Sequence, residues 1–308
     1  MSGKLVYLSG GVGGARLAHG LYHALDPAQL CCVINTGDDL VHWGLHVSPD
    51  LDTMLYTLAE VADVERGWGL AGETFQALAG VKRYGGEDWF ALGDSDLATH
   101  LMRTQWLRAG ESLTRVTQRL SSALGVRASL LPMSDDVCET MIETASGALS
   151  FQHWLVGERG LPVVQRVWFR GAASATREVE QALSEASLVI IGPSNPYVSI
   201  DPILALPGVR ERLRALPVLA VSPIVHGRAV KGPLAGMLES LGHLPSEAAS
   251  VAAHYGELLH GYVIERGDEV TRSQLPILAT DTLMHTRAHS RALAERVLEF
   301  AAKLGVWT

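Results

Sequence analysis

The chain has 308 residues, a formal charge of −8 and 47% hydrophobic residues, a globular composition with enough apolar material for a core. The acidic balance argues against nucleic acid as the main partner, because binding a phosphate backbone calls for a basic face. Cys31, Cys32 and Cys138 form no CxxC pair and are expected as buried thiols in a reduced compartment. The apolar stretch of MSGKLVYLSGG is too short for a signal peptide or a membrane span, so a soluble cytoplasmic protein with no membrane partner is expected.

Residues 4–8 (KLVYL) read as a buried strand and 15–25 as a helix, with Gly10, Gly11, Gly13 and Gly14 between them. Glycines permit close backbone approach, and the amides of a helix start receive anionic oxygens. The dinucleotide fingerprint GxGxxG, read from Gly11, fails at Arg16, which disfavours a nicotinamide enzyme; Arg16 is read either as a positive charge near bound phosphates or as a solvated side chain. A Walker loop is missing too, since the Gly-Lys-Ser/Thr ending is not there. Residues 30–34 (LCCVI) read as a second buried strand, with the lack of alternation that suits parallel strands covered on both faces. Just past its carboxyl end, where open α/β sheets bind ligands, NTGDD (35–39) sets two adjacent carboxylates. These are costly there unless a cation or hydrogen bonds satisfy them. SPDLDT (48–53) then turns into a helix expected over 53–63. Asp50 and Asp52 are spaced to share one side of an extended segment, and Asp52 or Thr53 is also a candidate helix cap. Two such carboxylate clusters suit Mg2+, a hard cation held by few protein oxygens with water and phosphate completing its shell. The twelve histidines are scattered and show no His/Cys cluster of zinc spacing.

Helices are expected over 96–109, with Asp94 and Asp96 as candidate caps and His100 one turn beyond Asp96, and over 113–124, between Ser112 and Gly125. Residues 127–131, 137–144, 148–156 and 163–169 read as short strands, with Ser146-Gly147 at a hairpin tip. The strand–helix rhythm then resumes, with helices over 176–186 and 208–215 leading to buried strands 188–192 and 218–222. Helical patterns follow at 233–241, 246–255 and 282–304, and strands near 261–265 and 275–279. The loops GPSNPYVSIDPIL (192–204) and SPIVHGRAVKGP (222–233) offer Ser194, Asn195 and Ser199 to a base or sugar, and Arg228 and Lys231 to an anion. The order implies one α/β domain over 1–308, a doubly wound, Rossmann-like parallel sheet. A central insertion over approximately 60–175 carries extra strands and helices.

GGVGGARLAHGL, NTGDD, the run at 44–53, RGWG (66–69), LGDSDLATHL, LPMSDD, FQHWLV (151–156), PSNPYVSIDPIL and SPIVHGRAVKGP lie in order from residue 5 to about 235. Together they resemble the motifs of the 2-phospho-L-lactate transferases, which help make the deazaflavin coenzyme F(420). The resemblance implies a donor in which guanosine diphosphate (GDP) carries a small acid: lactyl, enolpyruvyl or glyceryl. It implies the deazaflavin Fo as acceptor, whose terminal ribityl hydroxyl attacks the acid-bearing phosphorus while GMP leaves, and a requirement for Mg2+. Carried onto this chain, it implies Asp38 and Asp52 as metal-binding and catalytic residues, with Asp39 and Asp50 orienting them. Gly10, Gly11, Gly13, Gly14, Arg16, Ser194, Asn195, Ser199 and Lys231 would hold the donor. Asp50, Thr53, Asp94 and Ser95 would meet Fo, with the insertion contributing to that acceptor site. One of the aspartates would accept the hydroxyl proton. A homodimer is implied by the same resemblance. Two positions depart from the family pattern: Ser95 stands where the GDxD motif often has Arg, and Asp201 where Gly is common. The rival is a non-catalytic, nucleotide-sugar-binding regulatory relative, which binds ligand without turnover; the DLDT and GDxD motifs favour the enzyme.

Overall fold

Seven short apolar runs form one parallel sheet. In order across it they are Ile277–Thr280, Gly261–Glu265, Val218–Val221, Ala186–Ile191, Lys4–Ser9, Leu30–Ile34 and Ser129–Pro132, and every neighbouring pair is parallel. The structure is a computed structural model and describes residues 3–242, 244–270 and 274–307. The central strands lack alternation because both faces are covered. Leu5 and Tyr7 pack with Leu17, Leu21 and Val297, whereas Val6 and Leu8 pack with Val179, Leu183 and Val251. Helices Gly11–Ala24, Pro49–Leu58 and Arg287–Lys303 therefore cover one face, and Arg177–Glu185 and Ala248–Tyr255 the other.

From Lys4–Ser9 the chain builds outward through Leu30–Ile34, then crosses back and builds outward on the other side from Ala186–Ile191. The strand order reverses between Lys4–Ser9 and Ala186–Ile191. That is the topological switch point, and the crevice outside its carboxyl ends is where such sheets take ligands.

The doubly wound sheet is as expected, but 127–131 is not part of a separate insertion. Ser129–Pro132 is the sheet's edge strand, with Leu130 opposite Cys32. The rest of the 60–175 span adds a three-stranded antiparallel sheet, Gly147–Ser150, Glu139–Thr144 and Arg166–Arg170, and helices Gln76–Arg83, Asp96–Arg108 and Leu113–Ala123. Ser112 caps the last of these through the Arg115 amide. The strand expected over 148–156 stops at Ser150, and the chain winds into a π turn over His153–Gly157. Phe151 and Trp154, three apart, both turn into a small separate core with Ile142, a helical spacing rather than an alternating one. Hairpins Leu40–His42 with Leu45–Val47, and Ile224–Val225 with Arg228–Ala229, had no clear sequence signal. Cys31, Cys32 and Cys138 are free and buried. Among the described residues, no helix is long and apolar enough to cross a membrane.

Candidate active site

The first helix begins at Gly11, earlier than the sequence pattern predicts, so the glycines lie in its first turn. Helix propensity alone opposes this; close tertiary approach demands it. Gly11 has φ +68, a Cβ on Gly10 would sit 2.3 Å from Asp50 Oδ2, and one on Gly13 would sit 2.7 Å from the Pro193 carbonyl oxygen. Ser194 splints the turn: its hydroxyl donates to the Gly10 carbonyl (2.8 Å) and accepts from the Gly10 amide (3.3 Å). A helix start leaves its first amides without intrahelical acceptors. Asp50 Oδ1 accepts that of Gly11 at 2.7 Å, while Val12 and Gly13 line the open cleft.

The second helix also starts early, at Pro49, and this decides the fate of the carboxylates. Inside a helical turn Asp50 and Asp52 lie about 200° apart rather than on one side. Asp50 faces the glycine turn. Asp52 faces helix Asp96–Arg108, where the fully buried Arg103 grips it with both terminal nitrogens, NH1 at 3.0 Å from Oδ2 and NH2 on Oδ1. Arg103 NH1 also lies 3.2 Å from His100 Nδ1, and the Tyr56 hydroxyl donates to Asp96 at 2.6 Å. The expected pairing of Asp38 with Asp52 is therefore not the one the fold assembles, because a guanidinium already neutralises Asp52.

Asp50 takes that place beside Asp38. Asn35 Nδ2 donates to both, 2.8 Å to Asp38 Oδ1 and 3.0 Å to Asp50 Oδ2, and Gln152 Nε2 donates to Asp38 Oδ2 at 2.9 Å. Among the described residues neither carboxylate has an ion pair. Burial, reinforced by the charges of Asp50 and Asp39, pushes the Asp38 carboxyl well above the usual carboxylate range. Burial lifts Asp50 to about 6, against the hydrogen bonds from Asn35 and Gly11. Two adjacent buried carboxylates without a cation are an unfavourable arrangement, and their all-oxygen donor set fits Mg2+. Asp39 is turned away, toward Ser48 (2.7 Å) and His46 (3.0 Å).

Gly10, Gly11, Gly13, Arg16, Asp38, Asp50, Asp52, Thr53, Ser194, Asn195, Ser199 and Lys231 line one cleft of about 510 Å3 at the switch point. Gly14, Asp39, Asp94, Ser95 and Arg228, also expected there, do not, Arg228 being exposed on its hairpin. Gly14 lies beneath the turn, packed against Ser9 and Ser194. Asp94 caps helix Gln76–Arg83, accepting from the amides of Gln76 (3.0 Å) and Ala77 (2.9 Å), a helix that no sequence signal announced. Ser95 is exposed at the start of the next helix. Asn195 Oδ1 caps Tyr197 N at 3.0 Å, so, like the Ser194 hydroxyl, it is spent on the protein's own backbone.

Two cations flank the glycine turn. Arg16 donates to the Met284 carbonyl (2.9 Å) and Lys231 to that of Gly67 (3.4 Å). Neither has a carboxylate partner among the described residues. Burial lowers the Lys231 pKa and the charge of Arg16 adds to the effect, so the ammonium and the guanidinium sense each other in the cleft, where an anion would relieve their repulsion. Part of the cleft wall is aromatic, with Trp68, Trp89, Phe90 and Phe151 among its lining residues and Trp89 and Phe90 at 5.5 Å, edge to face. Sequence reasoning missed Asn35, Gln152 and Arg103 as site-forming residues, although Asn35 opens NTGDD, Gln152 sits in FQHWLV, and Arg103 lies on the helix expected over 96–109, two turns after Asp96.

The family profile described as 2-phospho-L-lactate transferase CofD matches residues 5–295. The chain is 40% identical to the 2-phospho-L-lactate transferase of Methanosarcina mazei over 302 residues, 96% of this chain and 99% of that one. It is 41% identical to the phosphoenolpyruvate transferase of Mycobacterium marinum over 310 residues (90% and 94%) and 40% identical to that of Streptomyces griseus over 316 residues (98% and 99%). A crystal structure of a UPF0052-family protein from Bacillus halodurans shares the fold, with TM-score 0.64 and 14% identity over 97% of this chain and 99% of that one. The chain thus belongs to the 2-phospho-L-lactate transferase CofD family, transferases of coenzyme F(420) biosynthesis.

Proposed function

We propose that the protein transfers a phospho-(small acid) group from a GDP-linked donor to the ribityl hydroxyl of Fo, releasing GMP. The observation that carries this is the uncompensated carboxylate pair Asp38 and Asp50, held by one Asn35 amide beside the glycine turn at the switch point. Asp38 and Asp50 would hold Mg2+, which would supply positive charge to offset that developing on the phosphoryl oxygens. The turn at Gly11–Gly13, with Arg16 and Lys231, cradles the diphosphate. Thr53 and the aromatic wall of Trp68 and Trp89 receive the planar acceptor, a flat ring on flat faces. The hydroxyl oxygen bonds to the acid-bearing phosphorus and gives its proton to a carboxylate of the cleft. The bond from that phosphorus to the bridging oxygen breaks, and its electron pair leaves with GMP. Phosphoryl transfer needs little else from a protein than such positioning and charge stabilisation.

The curated relatives bear two names for two acids, so the assay offers all three donors. Incubation with Fo, Mg2+ and each donor should release one GMP per Fo consumed and yield a more negatively charged Fo product. Nucleotide binding with no product from any donor would overturn the proposal in favour of a regulatory relative. A cytoplasmic homodimer completes it, and sedimentation velocity reads the dimer directly.

A further inference from the structure

The first helix carries His19 and His23, four residues apart and therefore stacked on one face. Their ring centroids lie 4.4 Å apart. Both imidazoles meet Glu60, which follows helix Pro49–Leu58 in a left-handed conformation (φ +61), a position few non-glycine residues adopt. Glu60 Oε1 is 3.0 Å from His19 Nε2 and 3.2 Å from His23 Nε2, and the three atoms lie within 4.8 Å of one another. A tetrahedral Zn2+ with ligand bonds of about 2.0–2.2 Å sets its ligand atoms about 3.3–3.6 Å apart. Two edges of that tetrahedron are thus nearly in place. The other oxygen of Glu60 is held by Arg287 at 2.8 Å, and Arg287 also donates to the Glu60 carbonyl at 3.3 Å. That is the outer support a ligating carboxylate receives, leaving Oε1 directed at the imidazoles. His19 is buried, while His23 and Glu60 reach solvent, so an ion has an entry path. His19 and Glu60 also border a second cavity of about 370 Å3, beside the cleft, which leaves room for a water as fourth ligand.

We propose that His19, His23 and Glu60 form a binding site for a divalent transition-metal ion of the Zn2+ class. The ion ties the first helix to the turn after the second and, through Arg287, to the C-terminal helix. Two imidazoles favour such an ion over Mg2+, which takes oxygen donors, so this centre and the Asp38–Asp50 pair select different metals. The sequence reading found no His/Cys cluster of zinc spacing and passed over this pair; its third member, Glu60, lies 41 residues from His19 and joins the two imidazoles only in the fold.

The test is a titration of the full chain with Co2+, using the Asp50→Asn background to remove the cleft's own oxygen site. The expected result is one equivalent bound with the intense visible absorption of tetrahedral cobalt, displaced by Zn2+. His23→Ala and, separately, Glu60→Gln should weaken binding by more than about 100-fold, beyond the range of outer-shell changes. In the otherwise native chain, His23→Ala should leave Mg2+-supported transfer unchanged, which separates this centre from the reaction. Absence of the tetrahedral absorption, or binding by either variant as tight as that of the parent chain, would overturn the proposal.

Discussion

Replacing Arg103 by Met tests which carboxylates are left free for a cation. Arg103 and Asp52 are 1% and 5% exposed, and two guanidinium nitrogens contact the two carboxylate oxygens. Removing the guanidinium strands the Asp52 carboxylate in a nearly buried position at the edge of the cleft. Breaking a buried pair from one side costs about 3–5 kcal/mol, a large fraction of the roughly 5–15 kcal/mol that hold a domain together. An exposed pair would cost no more than about 1 kcal/mol. Urea unfolding of Arg103→Met near neutral pH should therefore show a lower midpoint at an unchanged slope, with a loss of about 3–5 kcal/mol. The double variant Arg103→Met/Asp52→Leu should recover most of it, because no charge is then left unpaired. A loss below about 1 kcal/mol, or no recovery in the double variant, would refute the assignment of Asp52 to the ion pair and reopen it as a metal ligand.

Three other outcomes bear on the site. Asp50→Asn should lower Mg2+-dependent turnover by about 100-fold or more while the fold melts no earlier than wild type; near-normal turnover would remove Asp50 from the carboxylate pair. Gly13→Ala drives a Cβ against the Pro193 carbonyl oxygen, so it should raise the KM for the donor and cost about 1–3 kcal/mol of stability, read from steady-state kinetics and denaturant melts. In chelator-treated protein, burial holds Asp50 at about 6, above its unfolded value of 3.8. Its contribution is fully present below that unfolded value and lost as the pH rises through about 6. The stability difference between Asp50→Asn and wild type should therefore grow from about pH 4.5 to 7 and shrink when Mg2+ is added; a difference flat with pH would contradict the assigned burial cost.

The chain order of apolar runs determined a doubly wound parallel sheet, because a strand buried on both faces needs an unbroken apolar run, and LCCVI and LVII declare it without reference to anything distant. The motifs at the carboxyl ends of those runs were legible for the same reason: in such a sheet that edge is where ligands sit, so the glycine turn, NTGDD and the Pro193–Ser199 loop were assigned to the same edge, and the strand order then set them side by side. Tertiary structure decided what each polar atom does there. Starting the second helix at Pro49 rather than near Thr53 rotates Asp50 toward Gly11 and Asp52 toward Arg103, a partner 51 residues away. Starting a helix at Gln76 diverts Asp94 to capping it. Hydrophobic period and turn chemistry are local quantities that neighbouring residues carry. The charge state and freedom of a carboxylate depend on what the fold brings within a few ångströms of it, and no short stretch of sequence holds that.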